Sequence, residues 1–415
     1  MADSEKPAVP WRTQCAIYGA GIFNFSMVPI SALVVALYVT EIAHSAALVG
    51  IVLGARHFLT MLLSIHGGIL MDRLGTRRVM IGFSAVAVVM PLLYPVVPWV
   101  YALILLQMVA GLADAMGWMG AQALSGRVMS GNPVYVGRML FLVRIGSFVG
   151  PLLFGFLWGV LGAGTTFFCM AVWSAAGFVS VLMIPSPARD VAPERRAKFG
   201  LFDLLPNWSD HRAAFGIVAI PAITLILSVT IARVGGTAIQ SSFYVVYLQG
   251  LAIEEWLIGF LVGTAGLCAS FGTLGSAWFA KRMHPHWAVI GAVAITVLAI
   301  AVTPLLGGIF VILFLVIGLR GICLGISQPI EISSLAQALE RGAQGKGVGV
   351  RTMVNRVAGT FIPPIMGGFA EIAGVENSFL LMGVLLAAIV VCAGFFVHLN
   401  PSLGPQRADS RDERE

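Results

Sequence analysis

The sequence predicts an all-α membrane protein with twelve transmembrane helices in two pseudo-symmetric bundles of six. Three observations carry this prediction. First, 58% of the 415 residues are hydrophobic and 11% charged, where a soluble domain carries about 25% charged residues; mean hydropathy is +0.93. Second, apolar runs near the ~20 residues that span a bilayer recur at roughly 14–38, 46–71, 79–96, 99–126, 135–161, 165–184, 213–248, 256–280, 287–305, 308–337, 346–372 and 377–398. Third, basic residues fall on alternate connections. Residues 39–45, 95–99, 162–164, 249–255, 304–307 and 371–377 hold no Lys or Arg, but they hold Glu41, Glu254, Glu255, Glu371 and Glu376. The remaining connections and the tails hold Arg73, Arg77, Arg78, Arg127, Arg189, Arg195, Arg196, Lys198, Arg212, Lys281, Arg282, Arg341, Arg407, Arg411 and Arg414. Positive-inside bias then places both termini in the cytoplasm, which requires an even number of spans. The net charge of +6 is read as topology, and no nucleic-acid partner is expected. Half-polar alternating strands of barrel type are absent.

The halves are expected at 1–184 and 213–400, joined by a polar cytoplasmic linker at 185–212 and followed by a disordered tail at 401–415. Leu201, Phe202, Leu204, Leu205 and Trp208 are expected to form a short interfacial helix inside the linker. A shift of 212 residues superposes Gly137, Arg144, Pro151 and Gly155 on Gly349, Arg356, Pro363 and Gly367, the mark of a repeat.

Taken in order, the N-terminal residues carry Lys6 and Arg12 ahead of an apolar run without a small-residue cleavage site, so this run is read as the first span. Helix 1 holds Asn24, which either faces a cavity or bonds a neighbouring helix, and Pro29, which permits a bend. Helix 2 holds Arg56 and His57 well inside its span; adjacent positions point about 100° apart, so one is free to face a cavity. The connection after helix 2 reads Gly68-x-Leu70-x-Asp72-Arg73-x-Gly75-x-Arg77-Arg78. Charges so dense between two apolar runs belong at a membrane surface, and Gly75 suits a tight turn with φ > 0.

This stretch resembles the loop 2–3 signature of the major facilitator superfamily, with Met71 where a small residue usually precedes the acid. The resemblance implies alternating access between two halves. It also implies a latch in which Asp72 braces the positive N-terminus of helix 11 near Gly347 to Val350, and Arg73, Arg77 and Arg78 pair with acids at neighbouring helix ends. The alternative is a static charge cluster that sets topology. In helix 4, family members carry an arginine four residues before a glycine like Gly111, and Gln107 stands there in this chain. Helix 5 reads Gly137-x8-Gly146-x3-Gly150-Pro151-x2-Phe154-Gly155, similar to the family's helix 5 signature except at Phe154. That signature is commoner in exporters; its alternative reading is glycine-rich packing, with Pro151 allowing a bend.

Five arginines, Arg56, Arg144, Arg233, Arg320 and Arg356, fall inside predicted spans with a single central acid, Asp114. Asp114 is either an ion-pair partner of Arg144 or the carried-proton site. Glu331, nearer the cytoplasm, is a second proton-coupling candidate or a partner for Arg351. Arginine stays protonated when buried. The excess therefore predicts a positive cavity that prefers an organic anion, lined by these arginines with Asn24, Gln240, Tyr244 and Asn355. Tyr244 and Tyr247 suit an aromatic part of the solute. The alternative is that the arginines bond carbonyls and glutamines at helix contacts.

No catalytic constellation is expected. Cys15, Cys169, Cys268, Cys323 and Cys392 are dispersed, and His57, His66, His284 and His286 lack metal spacing. Gly345-Lys346-Gly347 lacks the strand–loop setting of a phosphate cradle, so no ATP-driven step, metal or cofactor is expected. The expected function is secondary-active, proton-coupled transport of a small organic solute across the cell (inner) membrane by a monomer, with export favoured over import. The alternatives are an uptake permease for an organic acid and a non-transporting sensor on the same fold.

Overall fold

Backbone amides in hydrocarbon must find their partners within the chain, and the apolar runs all fold as helix. The structure, a computed structural model, describes residues 9–43, 45–128, 133–185, 220–339 and 344–400. We number the helices α1 (Trp11–Ile42), α2 (Ala46–Leu74), α3 (Thr76–Leu93) and α4 (Val100–Val128). The run Pro133–Met183 turns at Gly162, whose φ of 73° and ψ of 179° leave the helical region. It therefore holds two spans, α5 at 133–161 and α6 at 163–183. Ring contacts between Phe154 and Trp173 and between Trp158 and Phe167 show that the two arms lie side by side. The second half holds α7 (Pro221–Gly250), α8 (Glu255–Arg282), α9 (Pro285–Ala301), α10 (Phe310–Gln337), α11 (Gln344–Ala373) and α12 (Val375–Leu399). No strand occurs among the described residues.

Among the described residues, nine helices are long and apolar enough to cross a membrane. One of the nine contains both α5 and α6, α9 is a shorter apolar helix, and α11 is diluted by Arg351, Asn355, Arg356 and Glu371. Large apolar side chains such as Leu274, Leu298 and Val384 point outward, as a chain solvated by lipid requires. Helix 7 is described from Pro221; residues 213–219 lie outside the described residues, as do the interfacial helix, most of the linker and the tail at 401–415. One expected feature needs adjustment: helix 7 is not continuous but is broken at Ser242, where φ is −125° and ψ −90°. Ser241 Oγ donates to the Thr237 carbonyl and Ser242 Oγ to the Ala238 carbonyl. Hydroxyls that bond back to i−4 compete with the backbone ladder and bend helices.

Within the first half, α1 packs along the α5–α6 hairpin and α4, and α2 and α3 pack on α4. Within the second, α8 packs on α10, α9 on α10 and α12, and α7 on α11 and α12. The halves meet along α2–α11 and α5–α8, with a lesser α1–α7 contact. Among the described residues no packed seam joins α4 to α10 or α5 to α11.

The two main seams close at one end only. We call the end with Glu41, Glu254, Glu255 and Glu371 the acidic end, and the end with Arg73, Arg77, Arg78, Lys281 and Arg282 the basic end. Toward the acidic end the backbones touch. A Cβ on Gly367 of α11 would lie 2.6 Å from the Ala46 carbonyl of α2, and one on Gly263 of α8 would lie 2.6 Å from the Phe148 carbonyl of α5. Cβ atoms on Gly50, Gly155 and Gly259 would likewise overlap the carbonyls of Pro363, Glu255 and Pro151. Toward the basic end, a Cβ on Gly68, Gly137, Gly275 or Gly349 would meet nothing within 4 Å.

Candidate functional site

A cavity of about 460 Å³ lies between the halves. α2 contributes Arg56 and His57, α5 Arg144 and Ser147, α7 Arg233, Thr237, Gln240 and Ser242, α10 Gln328, and α11 Thr352, Asn355 and Arg356. Apolar walls come from Phe25, Val28, Leu53, Val262 and Leu324. Four guanidinium groups thus meet the cavity, and its described lining contains no Asp or Glu.

Local packing seats each of these groups. Gly111 of α4 leaves room for the α2 backbone at Arg56, since a Cβ there would overlap the Arg56 carbonyl. The Arg56 guanidinium then reaches Asp114 Oδ2 at 2.5 Å, Ser31 Oγ at 2.7 Å, and Gln107 Oε1 and the Met27 carbonyl at 3.5 Å. Gln107, at the position where the sequence resemblance implies an arginine, accepts from an arginine supplied by α2. In the other half, Arg233 Nε donates to both oxygens of Glu331, at 3.0 and 3.1 Å, and Thr230 Oγ1 lies 3.4 Å from Oε2. Each half therefore buries one arginine–carboxylate pair, with the arginine toward the cavity and the acid behind it.

The remaining two arginines differ. Arg144 has no hydrogen-bond or ion-pair partner among the described residues. Arg356 Nη1 lies 3.3 Å from His57 Nδ1, linking α11 to α2, while its Nε is unpartnered. Gly359 makes room for the imidazole, because a Cβ there would come within 2.7 Å of the ring. Arg144 and Arg356 are the two positions related by the 212-residue shift, and both line the cavity. Four other members of that set serve the seams: the Pro151 and Pro363 carbonyls face Gly259 and Gly50, and Gly155 and Gly367 face Glu255 and Ala46, whereas a Cβ on Gly137 or Gly349 would meet nothing within 4 Å.

Two expected pairings are corrected. Asp114 pairs with Arg56, not Arg144, because α4 packs on α2 and barely touches the α5–α6 hairpin. Glu331 pairs with Arg233, not Arg351, because α7 brings its arginine onto α10 at that depth. Arg56 and Arg233 are consequently neutralised rather than left in excess. Of the cavity candidates, Arg56, Arg144, Arg233, Gln240, Asn355 and Arg356 line the space. Asn24 does not; its side-chain amide donates to the Ala20 carbonyl, and a Cβ on Gly117 would overlap it. Tyr244 and Arg320 lie in a separate small void. Sequence reasoning did not assign Gln107, Ser147, Gln328 or Thr352 to the site; the available signal was a polar side chain inside an apolar run.

In the helix 5 signature, Gly146 and Gly150 admit Ile22 and Ile30 of α1, so these two serve packing within the first half. At the basic end, Gly75 closes the turn between α2 and α3 with φ 92°, and Arg77 Nη2 donates to the Leu182 carbonyl at 2.9 Å. The Asp72 side chain lies outside what is described. A carboxylate does meet a helix N-terminus at the acidic end. Glu371 of α11 accepts from Ser45 Oγ at 3.0 Å and from the Ala47 amide at 3.3 Å, at the start of α2.

A family model described as the Major Facilitator Superfamily matches residues 16–319 and 225–415. No functionally curated protein sequence matches the chain. Among solved structures, a mutant of the nucleoside transporter NupG superposes with a TM-score of 0.76 at 12% identity, covering 93% of this chain and 98% of that one. NupG without that mutation gives 0.70 at 14% identity, over 93% and 100%. A bacterial homologue of the human lysosomal transporter Spinster, solved inward-facing and unoccupied, gives 0.66 at 15% identity, over 94% and 97%. At these identities the likeness is one of fold.

Proposed function

The chain belongs to the major facilitator superfamily, and from that membership we propose that it carries a small organic anion across the membrane together with protons, by rocking residues 1–184 against 213–400. The observation that carries the reading is the described cavity lining, with four guanidiniums, two of them neutralised from behind, and no carboxylate among the described residues. A guanidinium without a partner is costly inside a membrane, and Arg144 and Arg356 gain most from an anionic solute. Apolar walls suit the carbon part of that solute. The proton-coupling candidates act through linkage. Asp114 and Glu331 compete with the solute for Arg56 and Arg233, so protonating an acid frees its arginine. Proton and anion then bind cooperatively and cross in the same direction. Positive-inside bias makes the basic end cytoplasmic, in the cell (inner) membrane, with both termini on that side. The touching acidic-end seams and the parted basic-end glycines then correspond to an inward-open carrier.

Export is the second reading, favoured by the helix 5 glycine series. Both readings are tested by one experiment: reconstituted transporter, an imposed pH gradient, and labelled panels of anionic, neutral and cationic solutes. Accumulation of anions down the proton gradient is expected. Transport of cations with full retention in Arg144→Gln refutes the anion reading, and anion movement against the proton flux favours export.

A further inference from the structure

Arg320 was expected at the central cavity and instead sits behind it, in a void of about 10 Å³ formed by α7, α9, α10 and α12. A void of that size holds one occupant about as large as a water molecule. Its polar lining is buried, with Arg320 1% exposed, Tyr244 3%, Thr303 4% and Gln240 7%. The free groups are nearly all donors. Arg320 Nη2 donates to the Gly236 carbonyl at 3.1 Å, but its Nε and Nη1 have no partner. The Tyr244 hydroxyl and the Gln240 side-chain nitrogen also lack one. Thr303 donates its own proton to the Ala299 carbonyl. No carboxylate is among the described residues lining the void, so the arginine charge is uncompensated by them.

We propose that this void is a binding site for a single monatomic anion of chloride type, held by Arg320, Tyr244 and Gln240. A water molecule could place its protons on the Tyr244 and Thr303 hydroxyl oxygens, but it would leave the buried charge standing. A halide accepts from every free group and neutralises the guanidinium. The apolar remainder of the wall, including Phe379 and Ile317, suits a small, weakly hydrated monatomic ion. The site is distinct from the central cavity but adjoins it, since Gln240 lines both. Gln240 is also two residues before the break in α7 at Ser242. An occupant that fixes the Gln240 amide therefore fixes part of the solute site, and the anion acts as a resident ion that organises α7.

The test uses purified full-length transporter in sodium gluconate, titrated with sodium chloride at constant ionic strength. The expected result is a saturable rise in apparent melting temperature that persists in Arg144→Gln and is absent in Arg320→Gln. Tyr244→Phe is expected to shift the chloride midpoint several-fold higher. A wild-type crystal grown in sodium bromide is expected to show anomalous density between Arg320 and Tyr244, a readout that needs no variant to fold. Equal stability in chloride and gluconate, a chloride shift that survives Arg320→Gln, or density at Arg320 without anomalous signal overturns the proposal. None of these outcomes bears on whether the central cavity takes an organic anion, which Arg144→Gln reports separately.

Discussion

Gly367→Ala places one methyl group in the α2–α11 seam. Its carbon would lie 2.6 Å from the Ala46 carbonyl oxygen and 3.0 Å from Ala47 Cα, both backbone atoms that cannot rotate away. To reach the 3.4 Å at which ordinary contact begins, the helices must part by about 0.8 Å. Overpacking of this kind costs about 1–3 kcal/mol. The cost falls on the conformation closed at the acidic end and disappears when that end opens, so the equilibrium shifts by roughly 5- to 150-fold. Gly368 is the internal control, because a Cβ there meets nothing within 4 Å. Both substitutions gain the same helix propensity, about 1 kcal/mol over glycine, in either conformation. Spin labels at Ala43 and Ala373, in a background with the native cysteines replaced, report the acidic-end separation by pulsed dipolar spectroscopy. Gly367→Ala is expected to populate a longer distance that Gly368→Ala does not. Superimposable distributions for wild type and both variants would refute the reasoning.

Four further outcomes are expected. Arg144→Gln raises the half-saturating concentration of the transported anion by about 10- to 150-fold, the worth of a hydrogen bond to a charged group at 1.5–3 kcal/mol; an unchanged value in a concentration series counts against the cavity assignment. Asp114→Asn leaves Arg56 buried without its acid, a loss of about 3–5 kcal/mol. Thermal unfolding is expected to show it and to recover in the Arg56→Gln/Asp114→Asn double variant; a neutral single variant refutes the pairing. Glu371→Gln shifts the acidic-end distances in the same direction as Gly367→Ala, and the wild-type contact weakens with added salt; identical distances with and without the carboxylate contradict this role. Asp72→Asn inserts normally yet transports slowly, and wild-type initial rates from a well-expressed variant would exclude the basic-end latch.

Span number and fold were readable because lipid imposes a simple rule, that apolar length and the placement of Lys and Arg set the crossings. The repeat shift was readable for the same physical reason that it matters, since Arg144 and Arg356 reach the same space from equivalent positions in two halves. Pairing partners were not readable. They depend on which helices touch, and neighbours in sequence such as α4 and α5 hardly meet, while α2 and α4 pack tightly. Arg56 and Arg233 thus changed from surplus charge to members of ion pairs. The break in α7 had a signal in Thr237, Ser241 and Ser242, but one continuous apolar run hid it. Arg320 and Tyr244 looked like cavity residues because polarity inside a span does not say which side of the helix faces which space.

The two guanidiniums without acids give the empty carrier an electrical character. Arg144 and Arg356 take their charge to whichever side the cavity faces, and most of the membrane's voltage falls across whichever gate is shut. A full elementary charge carried through the field is worth about 2.3 kcal/mol per 100 mV. A potential that is negative on the basic side therefore draws the empty cavity toward that side and slows its return. A bound monoanion removes part of this bias and a dianion removes nearly all of it. In the proposed anion cycle the return of the unloaded carrier is then the voltage-sensing step, and vesicles without a membrane potential are expected to hold a different resting population from an energised cell.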